Sequence, residues 1–467
     1  MGTSALLRPL AGLWSLFGTL ALLAALFSFS LGEGHLAGLF MASALLSGVP
    51  GLMILTATRG MRVSASAVDA VLLALIAWST TPAFAALPFY LSGYFSQSDA
   101  FFEAYSAVTT TGAVLLPAEE LPRSLVLWRA LLSWMGGYAT LMLAAAIFAA
   151  LDKDLPAIRR SSLLTIRPDN VFSHLRLAAQ RIGLLYVVIT AIAGIAIMMA
   201  GESLFDASIL AMGAISTGGY APFSGPLLGS LGPVVTFLMA LTCLIGALNI
   251  SLFWDALRDR SAFRDPDLAG LAALVAGVGL LFYISEPENP LRHAADALFV
   301  VSTAGYTTAS ELSAAPLAAL FAALIGGAAA STTGGVKISR ILMLWKRMGT
   351  ELAVLADPSS VAPVTFRDRA APDRSLLSVW SYVLAFAAVL GFGTIVLAIA
   401  GTAFEQSFGA VAAALANAGP LYITMQEDQN WSDLSEAART WLIPVMILGR
   451  LEVLAALTAI AALVMRR

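Results

Sequence analysis

The sequence predicts an all-α integral membrane protein in which two N-terminal spans precede four repeats of a span, a short helix and a second span. Composition, the length of the apolar runs and a recurring short segment indicate this class. Of the 467 residues, 59% are hydrophobic and only 12% are charged, whereas soluble domains contain about 25% charged residues. A membrane β-barrel would contain short alternating strands, and the sequence lacks that pattern.

Apolar runs long enough to cross a bilayer recur along the whole chain. A hydrocarbon core about 30 Å thick requires about 20 helical residues per crossing. Ten such runs are present, and an even number of crossings leaves both ends of the chain on one side. The predicted spans are residues 10–31, 37–57, 69–91, 125–151, 182–200, 231–257, 267–285, 314–344, 376–401 and 440–465.

Basic residues indicate which side is cytoplasmic. All but five of the 26 Lys and Arg residues lie at the chain ends or in loops on the same side as those ends. Because cytoplasmic loops of membrane proteins carry an excess of Lys and Arg, both termini are predicted to be cytoplasmic, in a bacterial inner membrane. Lipid is an expected partner and nucleic acid is not. The five exceptions are Arg123, Arg129, Arg292, Arg439 and Arg450.

Four short segments, one in each repeat, align without a gap. They are DAFFEAYSAVTTTGA (99–113), DASILAMGAISTGGY (206–220), RHAADALFVVSTAGY (292–306) and QSFGAVAAALANAGP (406–420). The last four residues of each segment are a polar residue, a spacer, a glycine and one further residue. The predicted units are an N-terminal segment 1–62 and repeats 63–160, 161–262, 263–360, with a broken second span, and 361–467.

These segments are too short to cross a membrane, since about twelve helical residues rise only about 18 Å. A segment that enters and returns through a glycine turn leaves backbone carbonyls unpaired, which is tolerated at membrane depth only where they are buried in protein or face water. Four turns that converge on one axis would meet that condition. Close helix packing through Gly and Thr is the alternative interpretation of any single segment.

Such converging turns suit a cation. Rings of backbone carbonyls replace the hydration shell of potassium in selective pores. Glycine reaches left-handed backbone dihedrals and allows chains to approach closely. The C-terminal ends of the four short helices would also point partial negative charge at the axis. The sequence therefore predicts a carbonyl-lined filter made from four non-identical turns.

The turn motifs TTTGA, STGGY, STAGYTT and ANAGP resemble the filter positions of the Trk, Ktr and HKT superfamily of potassium transporters. The two extra N-terminal spans and WMGGYATLMLAAAIFAAL at 134–151 are most similar to its TrkH and TrkG type. The resemblance covers essentially the whole chain and implies a pseudo-fourfold arrangement with a filter. The candidate filter residues are Thr110, Thr111, Gly112, Thr217, Gly218, Gly219, Thr303, Ala304, Gly305, Asn417, Ala418 and Gly419.

The resemblance also bears on ion preference. In the plant relatives, serine at the first filter glycine accompanies sodium preference, so Gly112 favours potassium. The chain departs from the family pattern at Leu421, where a glycine is frequent, and at Tyr220 and Tyr306, where Phe is frequent. The fourth quarter of the filter is therefore the least typical one.

Residues 326–340, GGAAASTTGGVKISR, interrupt the second span of the third repeat. Each glycine costs a helix about 1 kcal/mol relative to alanine. A nucleotide-binding P-loop is excluded because Val336 separates Gly335 from Lys337. The resemblance implies an intramembrane gate below the filter, and a packing kink is the alternative. The candidate gating residues in this segment are Gly326, Gly327, Gly334, Gly335 and Lys337.

Arg450 lies within an apolar run, where a charge costs at least about 2.5–3.5 kcal/mol. The resemblance implies a gating arginine below the filter, and structural pairing with a carboxylate or with carbonyls is the alternative. Asp99, Asp206 and Glu103 belong to the short helices, and helix capping is the expected role of such carboxylates. Cys243 is expected to be a core residue.

The predicted function is potassium uptake through the filter, gated by the intramembrane loop. A sodium-permeable or poorly selective transporter of the same fold is the alternative, and symport with protons or sodium is as open as channel-like transport. An intramembrane enzyme would need paired catalytic groups, which the sequence lacks; His35, His174 and His293 have no ligand spacing. The chain is expected to contain no cofactor, and the only metal expected is the transported potassium. The resemblance implies a homodimer and a cytosolic TrkA-type nucleotide-binding regulator.

Overall fold

A computed structural model describes residues 3–60, 67–150, 171–256, 259–287, 289–309, 315–359, 363–367, 369–425, 429–451 and 453. The chain is helical almost throughout, and one antiparallel pair of two-residue strands is present among these residues. Seven of the described helices are long and apolar enough to cross a membrane. The predicted all-α membrane class is confirmed.

Two N-terminal helices form an antiparallel hairpin, α1 (Thr3–Ser30) and α2 (Gly34–Ala57). The first repeat consists of α3 (Ala67–Leu91), α4 (Gln97–Val108) and α5 (Arg123–Ala150). The second consists of α6 (Val171–Met199), α7 (Leu204–Ile215), α8 (Leu227–Ala247) and α9 (Ile250–Ala256).

The third repeat consists of α10 (Pro266–Ser285), α11 (Pro290–Val301), α12 (Pro316–Ile325) and α13 (Ile338–Ala356). Strands β1 (Thr365–Phe366) and β2 (Arg369–Ala370) precede the fourth repeat. That repeat consists of α14 (Asp373–Ile399), α15 (Phe404–Leu415), α16 (Pro420–Ile423) and α17 (Glu436–Leu451).

The four short helices α4, α7, α11 and α15, called pore helices below, contain twelve residues each. Ser96 and Ser203 cap the first two, because each side chain accepts a hydrogen bond from the backbone amide of Asp99 or Asp206. Both carboxylates thus lie in the first helical turn, as predicted. Glu103 does not cap a helix, and its different role is described below.

Two of the predicted spans are interrupted in the structure. The predicted span 231–257 is divided, because α8 ends at Ala247 and α9 begins at Ile250. Asn249 lies at this break, and its side-chain oxygen accepts hydrogen bonds from the backbone amide and hydroxyl of Ser251. The predicted span 314–344 is interrupted between Ile325 and Ile338, in the segment for which a break was expected.

The core surrounds the pore helices. Residues 407 and 409–415 of α15 are buried, as are residues 207 and 209–215 of α7. Trp128 of α5 is fully buried and packs against Phe17 and Phe40 of the N-terminal hairpin, with ring centroids 5.3 and 5.4 Å away. Cys243 is fully buried, as predicted.

Candidate ion pathway

The turns that follow the four pore helices contact one another in a closed ring. A Cβ atom on Gly112 would overlap the Gly218 carbonyl oxygen, and one on Gly219 would lie 2.5 Å from the Ala304 carbonyl oxygen. The third turn approaches the fourth, and the Gly419 amide donates a 2.6 Å hydrogen bond back to the Thr111 carbonyl. The order is therefore first, second, third, fourth and again first, so the first and third turns are opposite each other.

Three of the turns share one backbone conformation. Thr110, Thr217 and Thr303 have φ of 52°, 52° and 60°, although non-glycine residues rarely adopt positive φ. The glycine two residues later in each turn has φ of 73°, 72° or 69°, a region that glycine enters without a steric penalty. The polar residue and the glycine two residues after it, which the sequence pattern identifies, are thus the two left-handed residues of each of these turns.

The fourth turn differs from the other three. Asn417 has φ of 50°, like the threonines at the equivalent positions. Gly419 instead has φ of −55° and ψ of −39°, and the short helix α16 begins immediately after it. The expectation that Gly419 turns the chain as the other glycines do is therefore wrong. In this conformation its amide donates to the Thr111 carbonyl and its carbonyl accepts from Trp431 Nε1.

The candidate filter residues lie together and are buried, apart from Gly219, which is half-buried. Two buried side-chain oxygens of these turns, Thr110 Oγ1 and Asn417 Oδ1, have no hydrogen-bond partner among the described residues. Both side chains pack against neighbouring spans, at Gly136 of α5 and at Gly449 of α17.

A carboxylate braces the first turn from behind. Glu103 Oε1 accepts a 2.7 Å hydrogen bond from the amide of Leu115, twelve residues later. Glu103 also forms a two-pronged pair with Arg129 of α5, with N···O distances of 2.8 and 3.0 Å, and both side chains are buried. Such geometry is the strongest form of a hydrogen-bonded ion pair. It explains why Arg129 lies on the side of the membrane where basic residues are rare.

The third turn has the same brace at the same register. Asp296 occupies the position of Glu103 in the aligned segments and accepts hydrogen bonds from the amide and hydroxyl of Thr308, again twelve residues later, at 2.8 and 2.7 Å. The equivalent residues of the second and fourth segments are Leu210 and Ala410. The two carboxylates therefore support opposite sides of the ring.

Other contacts hold the second and fourth turns. Tyr306 donates a 2.7 Å hydrogen bond to the Tyr220 carbonyl, and the Tyr220 hydroxyl lies 3.3 Å from Ser106 Oγ. These two tyrosines, which depart from the family pattern, thus connect the second turn to the third turn and to the first pore helix. Trp431, which is fully buried, donates from Nε1 to the Gly419 carbonyl at 3.2 Å.

The segment between α12 and α13 forms a compact buried loop, called the gate loop below. Gly326 and Gly335 have φ of 71° and 77°, and a Cβ on Gly335 would lie 2.7 Å from the Ala323 carbonyl oxygen. The Gly327 amide donates to Thr333 Oγ1 at 3.1 Å, and Lys337 Nζ donates to the same oxygen at 3.0 Å. The predicted break is thus an ordered loop rather than a simple kink.

The gate loop contacts all four quarters at the C-terminal ends of the pore helices. Thr332 Oγ1 donates to the Ile215 carbonyl at 3.0 Å, and the Gly334 amide donates to Thr303 Oγ1 at 3.0 Å. A Cβ on Gly334 would overlap the Ala416 carbonyl. The fourth contact, to the first quarter, is made through an arginine. The loop therefore lies across the axis directly below the ring.

That arginine is Arg450 of α17, which is buried. Its guanidinium donates to the Thr109 carbonyl at the end of the first pore helix, and to the carbonyls of Thr332 and Thr333 in the gate loop, the latter two at 2.6 and 3.1 Å. Pairing with carbonyls, the alternative interpretation of this residue, is observed, and it leaves the gating role a prediction. All candidate gating residues therefore meet in one cluster beneath the ring.

Sequence reasoning missed the braces and the tryptophan. The signal for the braces is present in the aligned segments, because two apolar helices carry a carboxylate at the same position. The side chain of His174 and the part of the predicted span 440–465 that follows Val453 lie outside the described residues.

Comparison with known proteins identifies the family. The chain matches the family described as TrkH, cation transport protein, over residues 40–268 and 291–465. It is 31% identical over 401 residues to the Trk system potassium uptake protein TrkH of Salmonella typhimurium, covering 82% of this chain and 83% of that protein. The corresponding protein of Halomonas elongata is 29% identical over 405 residues, with the same coverage.

A solved structure supports the same assignment. The crystal structure of the potassium transporter TrkH from Vibrio parahaemolyticus superposes with a TM-score of 0.85, at 26% sequence identity, and covers 98% of each chain. The family match extends over most of the sequence and includes all four pore helices. The chain therefore belongs to the TrkH family of cation transport proteins.

Proposed function

We propose that this protein takes up potassium through the ring of four turns and that the gate loop controls passage. The observation that carries the proposal is the closed contact order of the turns, with left-handed residues at equivalent positions directly after four helix C-termini. Carbonyls in such a ring replace the hydration shell of a cation. The relatives named as potassium uptake proteins support potassium as the ion.

Apart from Gly419, whose carbonyl accepts a hydrogen bond from Trp431, every residue in the filter and gate assignments keeps the role that the sequence suggested, as part of this proposal. The filter residues would supply oxygen ligands, and the gate loop with Arg450 would block the axis below them. The family consists of transporters rather than enzymes. A sodium-permeable pore is the second candidate, since one of the four turns has a different backbone and a less regular ring discriminates ions less strictly.

Potassium uptake by cells that lack their own uptake systems tests the proposal. We expect the native chain to restore growth at low potassium. The Gly305→Asp variant should fail to restore growth, because the new side chain would enter the crowded ring next to Pro420. Gly225→Asp is the matched control: Gly225 also has positive φ, 98°, but is exposed and has open space around it. Undiminished uptake by the Gly305 variant would remove the filter assignment.

Ion competition separates the two candidates. Uptake of potassium and sodium is measured in the same cells, with the membrane content of the protein determined in parallel. Potassium uptake that excess sodium does not inhibit supports the potassium pore, whereas equal uptake of the two ions favours the poorly selective alternative.

We further propose that the protein resides in a bacterial inner membrane with both termini in the cytoplasm, and that its four repeats have the boundaries given by the sequence. A homodimer and a cytosolic TrkA-type regulator complete the proposal, which rests on the family resemblance. Mass measurement of the purified protein in detergent tests the dimer, since a purely monomeric species contradicts it. Co-purification with such a regulator tests the second partner.

A further inference from the structure

The second span of the second repeat breaks where its counterpart in the first repeat continues. A Cβ atom on Gly136 of α5 or on Gly246 of α8 would lie 1.9 or 2.7 Å from the carbonyl oxygen of the last pore-helix residue in the same repeat. The two glycines are therefore equivalent. After its glycine, α5 continues to Ala150, whereas α8 ends at Ala247 and α9 begins at Ile250.

The residues at this break do not explain it. Leu248 and Asn249 separate the two helices, and neither is a proline or a glycine. Helices otherwise break where another group inserts into their hydrogen-bond ladder. The group that inserts here belongs to the gate loop, so the break depends on a contact between two repeats.

Two amides of the gate loop bind the last carbonyls of α8. The Thr332 amide donates to the Gly246 carbonyl at 3.0 Å, and the Ala328 amide donates to the Ala247 carbonyl at 2.9 Å. Carbonyls at the end of a helix have no partner within it, and at membrane depth they must be paired with other protein groups or with water. The gate loop supplies those partners.

One contact runs in the opposite direction, from α9 to the loop. The Ile250 amide donates to the Ala330 carbonyl at 3.2 Å. Ala330 has φ of 56°, which a residue with a Cβ atom rarely adopts and which persists where the surrounding structure fixes it. The breaks in the second and third repeats thus satisfy each other's backbone groups.

Asn249 supports the break from the side of α9. Its Oδ1 accepts hydrogen bonds from the amide and the hydroxyl of Ser251 at 2.9 and 2.8 Å, which caps the N-terminus of α9. Asn249 is 6% exposed and Ser251 is fully buried. Water therefore does not replace this cap if the side chain is lost.

The same backbone groups would also form a continuous helix. In an α-helix each amide donates to the carbonyl four residues earlier, so the Ile250 amide would bind Gly246 and the Ser251 amide would bind Ala247. Each amide has one hydrogen, and these two now bind the gate loop and Asn249. A docked loop and a continuous helix are therefore alternative states of one segment.

We propose that residues 246–251 form a catch that holds the gate loop across the axis, and that Asn249 is the positioning residue that keeps the catch formed. This inference rests on the proposed function. When the loop leaves the catch, α8 and α9 join into one helix, which pairs the backbone groups that the loop gives up. Docking of the loop thus closes the pathway, and joining of the two helices favours the open state.

Two variants that differ by one oxygen atom test the role of Asn249. Serine accepts a hydrogen bond at a helix N-terminus, whereas alanine does not and is also the best helix former. We expect Asn249→Ala to raise potassium uptake per molecule of protein in the membrane severalfold. Asn249→Ser should restore most of the native behaviour. Equal uptake by the two variants would overturn the role of this side chain.

A proline at the same position separates the break from the cap. Leu248 has ψ of 157°, the extended conformation that precedes a proline, and a proline at 249 prevents a continuous helix. We expect Asn249→Pro to keep the loop docked and uptake at or below that of the native protein, although the cap is lost. Uptake raised as in Asn249→Ala would contradict the catch. This variant also keeps the inference testable if Asn249→Ala does not fold.

Thiol labelling of the purified protein in detergent follows the loop without transport. Ser331 of the gate loop is 1% exposed and the native Cys243 is buried, so Ser331→Cys should react slowly. Adding Asn249→Ala should raise the labelling rate severalfold, and adding Asn249→Pro should not. Asn289→Ala is the matched control, because Asn289 also accepts from the amide two residues later, at 3.1 Å, but caps the end of α11 that is far from the gate loop.

The outcomes distinguish this inference from the proposed function. If the native chain takes up no potassium, the proposed function fails, and the labelling rates still report whether the catch holds the loop. If the native chain takes up potassium and Asn249→Ala changes neither uptake nor the labelling of Ser331→Cys, the catch is overturned. A rate that rises as much with Asn289→Ala as with Asn249→Ala contradicts it as well.

Discussion

At the level of single residues, the pair of Glu103 and Arg129 connects the first turn to the scaffold behind it. Glu103 lies in the first pore helix, Arg129 in the following span, and the Leu115 amide after the turn binds the same carboxylate. Burying two charges is costly, and removal of one partner leaves the other uncompensated. Removal of one partner should therefore lower the stability of the protein more than removal of both.

Glu103→Ala tests this view of the pair. The change leaves the Arg129 charge and the Leu115 amide buried without their partner, so we expect a loss of about 3–5 kcal/mol in the free energy of unfolding. Thermal unfolding of the purified protein in detergent measures the shift. The double variant Glu103→Ala/Arg129→Ala should lose less than the sum of the two single variants, because the unpaired charge is then removed.

The control for this prediction is Asp99→Ala. Asp99 pairs with Arg439 at 2.8 Å, but their side chains are 24% and 16% exposed, so solvent screens the pair. More exposed pairs contribute about 1 kcal/mol or less. A shift for Glu103→Ala no larger than that for Asp99→Ala contradicts the proposed brace.

At the level of elements, the gate loop is held by α17, a helix of another repeat. The loop joins α12 and α13 of the third repeat, whereas Arg450 belongs to α17 of the fourth. The guanidinium spans the loop carbonyls of Thr332 and Thr333 and the end of the first pore helix at Thr109. Hydrogen bonds from a charged group contribute about 1.5–3 kcal/mol each, which is enough to bias a loop between two positions.

Arg450→Ala should release this loop. We expect potassium uptake to rise while the protein still inserts and folds, because three carbonyl contacts and the positive charge below the ring are lost together. Uptake is measured per molecule of protein in the membrane. Arg450→Lys keeps the charge but not the planar fork, so an intermediate effect is expected. Unchanged uptake in the alanine variant would restrict Arg450 to a structural role.

At the level of the whole molecule, the proposed pathway is formed by four quarters that are similar but not equivalent. Opposite quarters carry the carboxylate braces, and the fourth quarter has a helical residue where the others turn. The gate loop interrupts only the third repeat yet contacts all four. A single chain can assign different tasks to each quarter, which four identical subunits cannot.

The orientation proposed for the whole molecule rests on the distribution of its basic residues and is testable by labelling. Glu120 and Ser359 are both exposed, and the predicted spans put them on opposite sides of the membrane. We expect Glu120→Cys to react with an impermeant thiol reagent in intact cells and Ser359→Cys to react only after permeabilisation. The reverse pattern would invert the orientation, and the native protein is the unreactive control because Cys243 is buried.

Much of this architecture was predictable because it depends on local signals. The twelve-residue pore helices, the polar residue and glycine of each turn, and the break before Lys337 are all visible as short patterns in an apolar chain. Apolar runs predict where helices cross the membrane, and glycines predict where the backbone turns. Both signals are local, so a single sequence is enough to locate these features. The capping position of Asp99 and the burial of Cys243 belong to the same class.

Contacts between residues distant in the chain could not be obtained in that way. The partner of Glu103 lies 26 residues away, and the carbonyls bound by Arg450 lie more than 100 residues away. The partners of the Gly419 backbone are Trp431 and, in another repeat, Thr111. The composition and its repeats thus specify a fourfold membrane fold with a ring of turns. Which backbone groups face the axis and which are bound by protein depends on how the four quarters pack, because that choice involves residues distant in the chain.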